Sequence, residues 1–192
     1  HLSRHDELED CTTCKKGTFL AYRENDLASY HDAEDRCIGC LKGQYQDMRG
    51  AATCKVCAPG FYSNENGRVQ CQECPAGFFQ LLQNSLTCAA CPTGFYQHVS
   101  AHIKCLACQP GQFMNRVGSS ICHDCKSGYF SKVAGTRECL KCVAGQYQTQ
   151  RKAVKCNSCL AGKYQNLQGQ TKCEDCPHNK YLDYNGAASL SE

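Results

Sequence analysis

Apolar side chains in this chain follow neither the helical period of about 3.6 nor the strand period of about 2. They follow a period of 17 residues. One aromatic ring recurs as Phe19, Tyr45, Tyr62, Phe79, Tyr96, Phe113, Phe130, Tyr147, Tyr164 and Tyr181. The residues between rings are mostly polar, with scattered Leu, Val and Ile. That pattern suits short exposed strands and offers no apolar stripe for an amphipathic helix. Two residues before each ring stands Gly, from Gly17 to Gly162, with Asn179 in the last copy. Asn is the best mimic of Gly at positive φ, so this position predicts a left-handed turn. A second turn position falls four residues before the next cysteine. It holds Gly50, Gly67, Gly118, Gly135, Gly169 and Gly186, with Asn84, Ala101 and Lys152 elsewhere, and predicts the bend of a small hairpin. One ring per unit is expected to form a minimal core by covering a cross-link and packing on the next unit.

Each unit opens with Cys-x-x-Cys. All 20 cysteines of the 192 residues fall in ten such pairs, and from Cys37 to Cys173 the first cysteines are 17 residues apart. The interval from Cys11 to Cys37 is 26. Three regions follow: an atypical first repeat with a long acidic loop over 1–36, regular repeats over 37–176, and an incomplete repeat or tail over 177–192. Units that contact mainly their neighbours predict an elongated, quasi-one-dimensional rod or solenoid. The expected fold is small, disulfide-rich and mostly coil with short β-hairpins.

Composition explains why cross-links are needed. Leu, Ile, Val and Phe together number 31 of 192 residues, too few to build a single core for this length. Disorder is disfavoured by a net charge of only +3 and by 17 Tyr and Phe. No apolar run approaches the ~20 residues of a membrane helix, and no signal-peptide pattern or initiator Met is present, so the chain reads as a processed product or internal piece. Paired cysteines in this number imply an extracellular setting, secreted or on the cell surface. No Asn-x-Ser/Thr sequon adds independent support.

Spacing leaves the pairing open among several schemes. In the sequential scheme the second cysteine of each motif bonds the first of the next: Cys14 with Cys37, Cys40 with Cys54, Cys57 with Cys71, Cys74 with Cys88, Cys91 with Cys105, Cys108 with Cys122, Cys125 with Cys139, Cys142 with Cys156, and Cys159 with Cys173. Each regular loop then gains about 3 kcal/mol in the chain-entropy account. Cys11 and Cys176 are left for other chains or flanking segments, and Leu190 stands where the next cysteine would fall. A second scheme joins both cysteines of one motif to both of the next, and a third closes each Cys-x-x-Cys on itself. A fourth alternative replaces bonds by zinc sites of four cysteines each, since the spacing is close to that of zinc ribbons. Block pairing and zinc modules would both alternate between two kinds of loop. The single uniform period favours the sequential scheme and no bound cofactor.

The motif resembles the ephrin-receptor-like cysteine-rich repeat, and more loosely the first loop of tumour-necrosis-factor-receptor and growth-factor-receptor cysteine-rich modules. The resemblance is carried by Cys57-Ala-Pro-Gly-Phe-Tyr, Cys74-Pro-Ala-Gly-Phe-Phe and Cys91-Pro-Thr-Gly-Phe-Tyr with return cysteines Cys71, Cys88 and Cys105, and it extends from Cys11 to about Tyr184. It implies sequential pairing and extracellular architecture, as in receptors, matrix proteins and protist surface proteins. The long first loop and Asn179 depart from the family pattern.

Few residues suggest chemistry. Between Leu20 and Arg36 lie five acidic residues with Tyr22, Asp26, Tyr30 and His31, a candidate binding loop inserted on a regular scaffold. Residues 1–36 carry net −4 and residues 37–192 net +7, which admits head-to-tail contact between copies or binding of anionic glycans by the basic body. His98 and His102 are expected to flank a turn as solvated groups. No catalytic set is recognisable, and no basic stripe with stacking aromatics suggests nucleic acid. The sequence therefore predicts a non-enzymatic stalk, spacer or subunit of a surface or matrix filament, with a receptor or adhesion ectodomain as the alternative. Its partners are expected to be proteins, with no membrane insertion in this segment.

Overall fold

The computed structural model describes residues 13–20 and 37–190. Among them there is no helix, and every strand is two or three residues long. The strands pair as nine two-stranded sheets. β1 (Thr18–Leu20) pairs with β2 (Cys37–Gly39), β3 (Gln44–Tyr45) with β4 (Lys55–Val56), and β5 (Phe61–Tyr62) with β6 (Gln72–Glu73). β7 (Phe78–Phe79) lies beside β8 (Ala89–Ala90), and β9 (Phe95–Tyr96) pairs with β10 (Leu106–Ala107). β11 (Gln112–Phe113) pairs with β12 (His123–Asp124), β13 (Tyr129–Phe130) with β14 (Leu140–Lys141), β15 (Gln146–Tyr147) with β16 (Asn157–Ser158), and β17 (Lys163–Tyr164) with β18 (Glu174–Asp175). The first strand of each sheet carries the repeating ring. The second starts at or just after the first cysteine of the next motif, so every hairpin spans a repeat boundary.

Two compact units partition the chain. The first holds His1–Pro75, Phe79–Ala89 and Ser100–Ile103; the second holds Ala76–Phe78, Ala90–Val99 and Lys104–Glu192. The same bonding rule operates inside each. In the first, Gly43 N donates to Ser63 O (2.8 Å), Gln46 N to Arg68 O (3.1 Å), and Gly67 N to Cys40 O (2.7 Å). In the second, Gly94 N donates to Met114 O (2.7 Å), Gln97 N to Ser119 O (3.1 Å), and Gly118 N to Cys91 O (2.8 Å). A hairpin of two-residue strands is too short to satisfy its own backbone, so each repeat completes its hydrogen bonding on the next.

Among the described residues nine disulfides run along this framework: Cys14–Cys37, Cys40–Cys54, Cys57–Cys71, Cys74–Cys88, Cys91–Cys105, Cys108–Cys122, Cys125–Cys139, Cys142–Cys156 and Cys159–Cys173. Their two ends differ. From Cys40 to Cys159 the second cysteine of every motif is fully buried, whereas its partner in the next motif is half-buried.

The core departs from expectation at the aromatic position. From Tyr45 to Tyr164 the rings are only half-buried, and Tyr181 is 79% exposed. The buried position is the one after the ring: Gln46, Ser63, Gln97, Met114, Ser131, Gln148, Gln165 and Leu182. Successive side chains along extended backbone point to opposite faces, so the residue after the half-exposed ring turns inward. Where this residue is Gln, its amide is satisfied in a fixed way. Gln97 Nε2 donates to Lys104 O (2.8 Å), and its Oε1 accepts from Val99 N (3.1 Å). Gln46, Gln80, Gln148 and Gln165 make the same pair of bonds. In these five loops a neutral amide thus bonds two backbone groups from within.

Turn chemistry is fixed by close backbone approach. Gly94 has φ +84°, and a Cβ there would lie 2.0 Å from Gly135 O, in the turn two repeats ahead. Gly162 has φ +80°, but a Cβ there meets nothing within 4 Å. Asn179 adopts φ +68°, the left-handed conformation expected of it. Gly162→Ala should therefore cost only the strain of a left-handed alanine, about 1–2 kcal/mol. Gly94→Ala adds a backbone clash and should cost at least about 3 kcal/mol. Denaturant unfolding of the two oxidised variants, compared with the parent chain, checks the difference.

Candidate functional site

The half-buried rings line grooves on the surface. Three of them are built around the same ring position at different places in the array. Beside the third repeat, a groove of about 610 Å³ is lined by Phe61, Tyr62, Arg68, Gln70, Cys71, Gln72, Glu73 and Pro75. Three repeats later, Phe113, His123, Asp124 and Lys126 occupy the positions of Tyr62, Gln72, Glu73 and Pro75, and with Tyr129, Cys139 and Arg151 they line a groove of about 370 Å³. A third, of about 280 Å³, contains Tyr96, His98, Gln112, Ser120, Ile121 and Cys122. Each contains the ring and a half-buried first cysteine of a later motif, and the grooves at Tyr62 and Phe113 also share two return-strand positions, so sequence variation there changes groove chemistry without changing the scaffold.

The chemistry differs sharply between copies. In the groove at Phe113, that ring tilts against His123 at a centroid distance of 6.0 Å, and Lys126 Nζ stands 4.7 Å above the Tyr129 ring centroid. Gln112 Nε2 donates to Asp124 Oδ1 (2.9 Å), which ties down the one carboxylate of the lining. The result is mostly apolar with a cationic rim of Lys126 and Arg151. In the groove at Tyr62 the lining is polar. With the Gln72 amide oriented by its neighbours, Nε2 donates to Tyr62 Oη (3.0 Å), and Oε1 accepts from Arg68 Nη2 (3.2 Å) and Nη1 (3.3 Å). Arg68 Nη2 also meets Glu65 Oε2 at 3.1 Å.

Cross-strand and near-turn ion pairs are otherwise superficial. Lys163 pairs with Asp175 across β17 and β18, and Lys55 Nζ donates to Asp47 Oδ1 at 2.6 Å. The bond to Lys55 holds the Asp47 carboxyl below its ordinary range and the Lys55 ammonium above its own.

Of the residues singled out from sequence, Cys11 and the loop residues Tyr22, Asp26, Tyr30 and His31 lie outside the described residues. Cys176 carries a free, half-buried thiol, and its backbone N–H donates to Gly162 O (3.0 Å). His98 stacks on Tyr96 at 5.9 Å, and His102 uses its backbone O to accept from Gln80 N (3.1 Å). Among the described residues no cluster of three or more His, Cys, Asp or Glu could hold a metal ion. Sequence reasoning missed both the buried Gln and the grooves. The recurring Tyr-Gln dipeptide was the available signal for the first, while the second requires knowing that the rings stay half exposed.

Comparison with known proteins adds one finding. The family described as tyrosine-protein kinase ephrin type A/B receptor-like matches over residues 48–85, 77–121, 111–155 and 145–192. No curated protein matches the chain. Among the described residues no helix is long and apolar enough to cross a membrane.

The Asp47–Lys55 bond gives a pH prediction. A depressed carboxyl pKa contributes stability above the unfolded-state value, and that contribution is lost as pH falls through the folded value. Both groups are exposed, so the effect on unfolding should be within error. An NMR titration of the Asp47 carboxyl should nevertheless place it below the usual aspartate range, and Lys55→Met should return it there.

Proposed function

The chain belongs to the tyrosine-protein kinase ephrin type A/B receptor-like family of cysteine-rich repeats, and from that premise we propose that it is a spacer in a cell-surface or matrix assembly. The family is a non-catalytic, receptor-ectodomain type of module, and the chain is an extracellular cysteine-rich domain. The spacer role is supported by one observation. Within each compact unit each repeat bonds the next through the same backbone partners and the same disulfide, so a repeat adds no new kind of contact. Apolar cores resist stress through burial, whereas this array resists it through covalent bonds at every unit. Copies joining head to tail would extend the spacer, and Cys176 offers a thiol for a covalent joint.

A receptor or adhesion ectodomain is the second reading. It is favoured by the grooves, whose lining varies while their frame is constant.

Deleting residues 105–121 removes one repeat and places Cys122 where Cys105 stood, within bonding register of Cys91. The spacer reading expects the oxidised deletion variant to fold and its maximum dimension in small-angle scattering to shrink by one increment. A second deletion, of residues 122–138 as well, should shrink it by the same amount again. Loss of folding or unequal decrements would count against a spacer built of equivalent units. Cys176→Ser should abolish any reductant-sensitive oligomer seen by sedimentation velocity; persistence of that oligomer would remove the covalent joint.

A further inference from the structure

Arg68 breaks the pattern of its sister repeats. The equivalent positions hold Ala51, Ser85, His102, Ser119, Thr136, Ala153, Gln170 and Ala187, several of them small, and Ala153 and Ala187 are buried. All of these residues from Arg68 onward accept, through the backbone carbonyl, the same hydrogen bond from the preceding repeat, so the scaffold makes no demand on the side chain here. Arginine is a poor structural choice at this point. Its Nε is buried without a hydrogen-bond partner among the described residues, an uncompensated desolvation that an Ala or Ser would avoid. A local rule broken at a structural cost marks a position kept for something other than folding.

What surrounds Arg68 is a set of convergent polar groups on an aromatic frame. Tyr62 and Gln72 face each other across β5 and β6, and Phe61 and Glu73 form the adjacent pair. Gln72 bridges Tyr62 Oη to the Arg68 guanidinium, Gln70 opens onto the same space, and Ser100 Oγ donates to Glu73 Oε2 (2.6 Å), orienting that carboxylate. The volume of about 610 Å³ falls within the range that accepts a small ligand. Charge selects the ligand class. The positive charge of Arg68 is matched by Glu65, which leaves Glu73 as the unbalanced group, so the groove does not favour an anion. Donors and acceptors in mixed order around ring faces suit a molecule whose hydroxyls both donate and accept and whose C–H face is apolar.

We propose that the groove formed by Phe61, Tyr62, Arg68, Gln70, Gln72 and Glu73 is a binding site for a neutral saccharide residue. Saccharide hydroxyls are bound by the Arg68, Gln72 and Glu73 side chains, and the sugar ring lies against Phe61 and Tyr62. This site lies outside the acidic first loop and is independent of the spacer role.

The test uses the intact, oxidised 192-residue chain, isotope-labelled for NMR and titrated separately with the methyl glycosides of glucose, galactose, mannose and N-acetylglucosamine, and with the methyl glycoside of N-acetylneuraminic acid as an anionic probe. At least one neutral glycoside should produce saturable shifts confined to residues 61–75 and Ser100, with Kd on the order of 1–10 mM for a single sugar. Arg68→Ser installs the residue that the fourth repeat carries at this position, and Tyr62→Phe keeps the ring but removes the hydroxyl that holds the Gln72 amide in its ligand-binding orientation. Each should weaken binding about threefold to tenfold while the other amide resonances stay in place. The proposal is overturned by the absence of saturable shifts with all neutral probes, or by shifts centred elsewhere. It is equally overturned by tighter binding of the anionic probe, or by affinity unchanged in Tyr62→Phe.

Discussion

When the second cysteine of one motif bonds the first cysteine of the next, it fixes the two ends of a hairpin whose strands are only two residues long. Everything else in the structure depends on that closure. A two-stranded ribbon of this length is not stable alone in water, and the chain has too few large aliphatic residues to bury it under a core. The cross-link lowers the entropy of the unfolded loop by an amount worth about 3 kcal/mol in the chain-entropy account. Once closed, the loop presents backbone N–H and C=O groups in a fixed array, and the following repeat docks on them. Gly94 to Met114 and Gln97 to Ser119 are typical of those docking bonds.

Because closure is covalent, the interior can be polar without penalty. Gln97 is fully buried, yet both ends of its amide are bonded to backbone groups of its own loop. In a domain held by apolar burial, such a residue would interrupt the core. Here it substitutes for one, and the ring beside it is released from structural duty to face the grooves. The scaffold therefore separates two jobs that most small folds combine. Cysteine, glycine and the residue after the ring hold the frame, while the ring, return strand and turn are available for variation, as the contrast between Tyr62 with Arg68 and Phe113 with Lys126 illustrates.

The period of 17 made the fold class legible from sequence, because Cys-x-x-Cys-x-x-Gly-x-aromatic leaves little besides short hairpins on a cross-linked frame. The left-handed turn at Asn179 was legible for the same reason, since Asn replaces Gly mainly where φ is positive. The inner residue was not. Gln, Ser, Met and Leu share no chemical class, and only the geometry of alternating faces reveals why position 97 is buried and position 96 is not. The demand for glycine at position 94 was visible as a turn but not as a collision with a turn two repeats away. Grooves were beyond reach for a related reason: the rings were expected to be covered. The acidic loop with Tyr22, Asp26, Tyr30 and His31 lies outside the described residues.

The unequal burial of the two sulfurs in each bridge sets a direction for thiol chemistry. An external thiolate meets the half-buried sulfur, such as that of Cys122, and the departing group is then the enclosed Cys108. A thiolate released into an enclosed site lacks hydration, its pKa rises, and a thiol of high pKa is a slow leaving group. The released sulfur also remains beside its former partner, positioned to expel the intruder. Scrambling between the rungs of the described residues is thus disfavoured by the orientation of each bond.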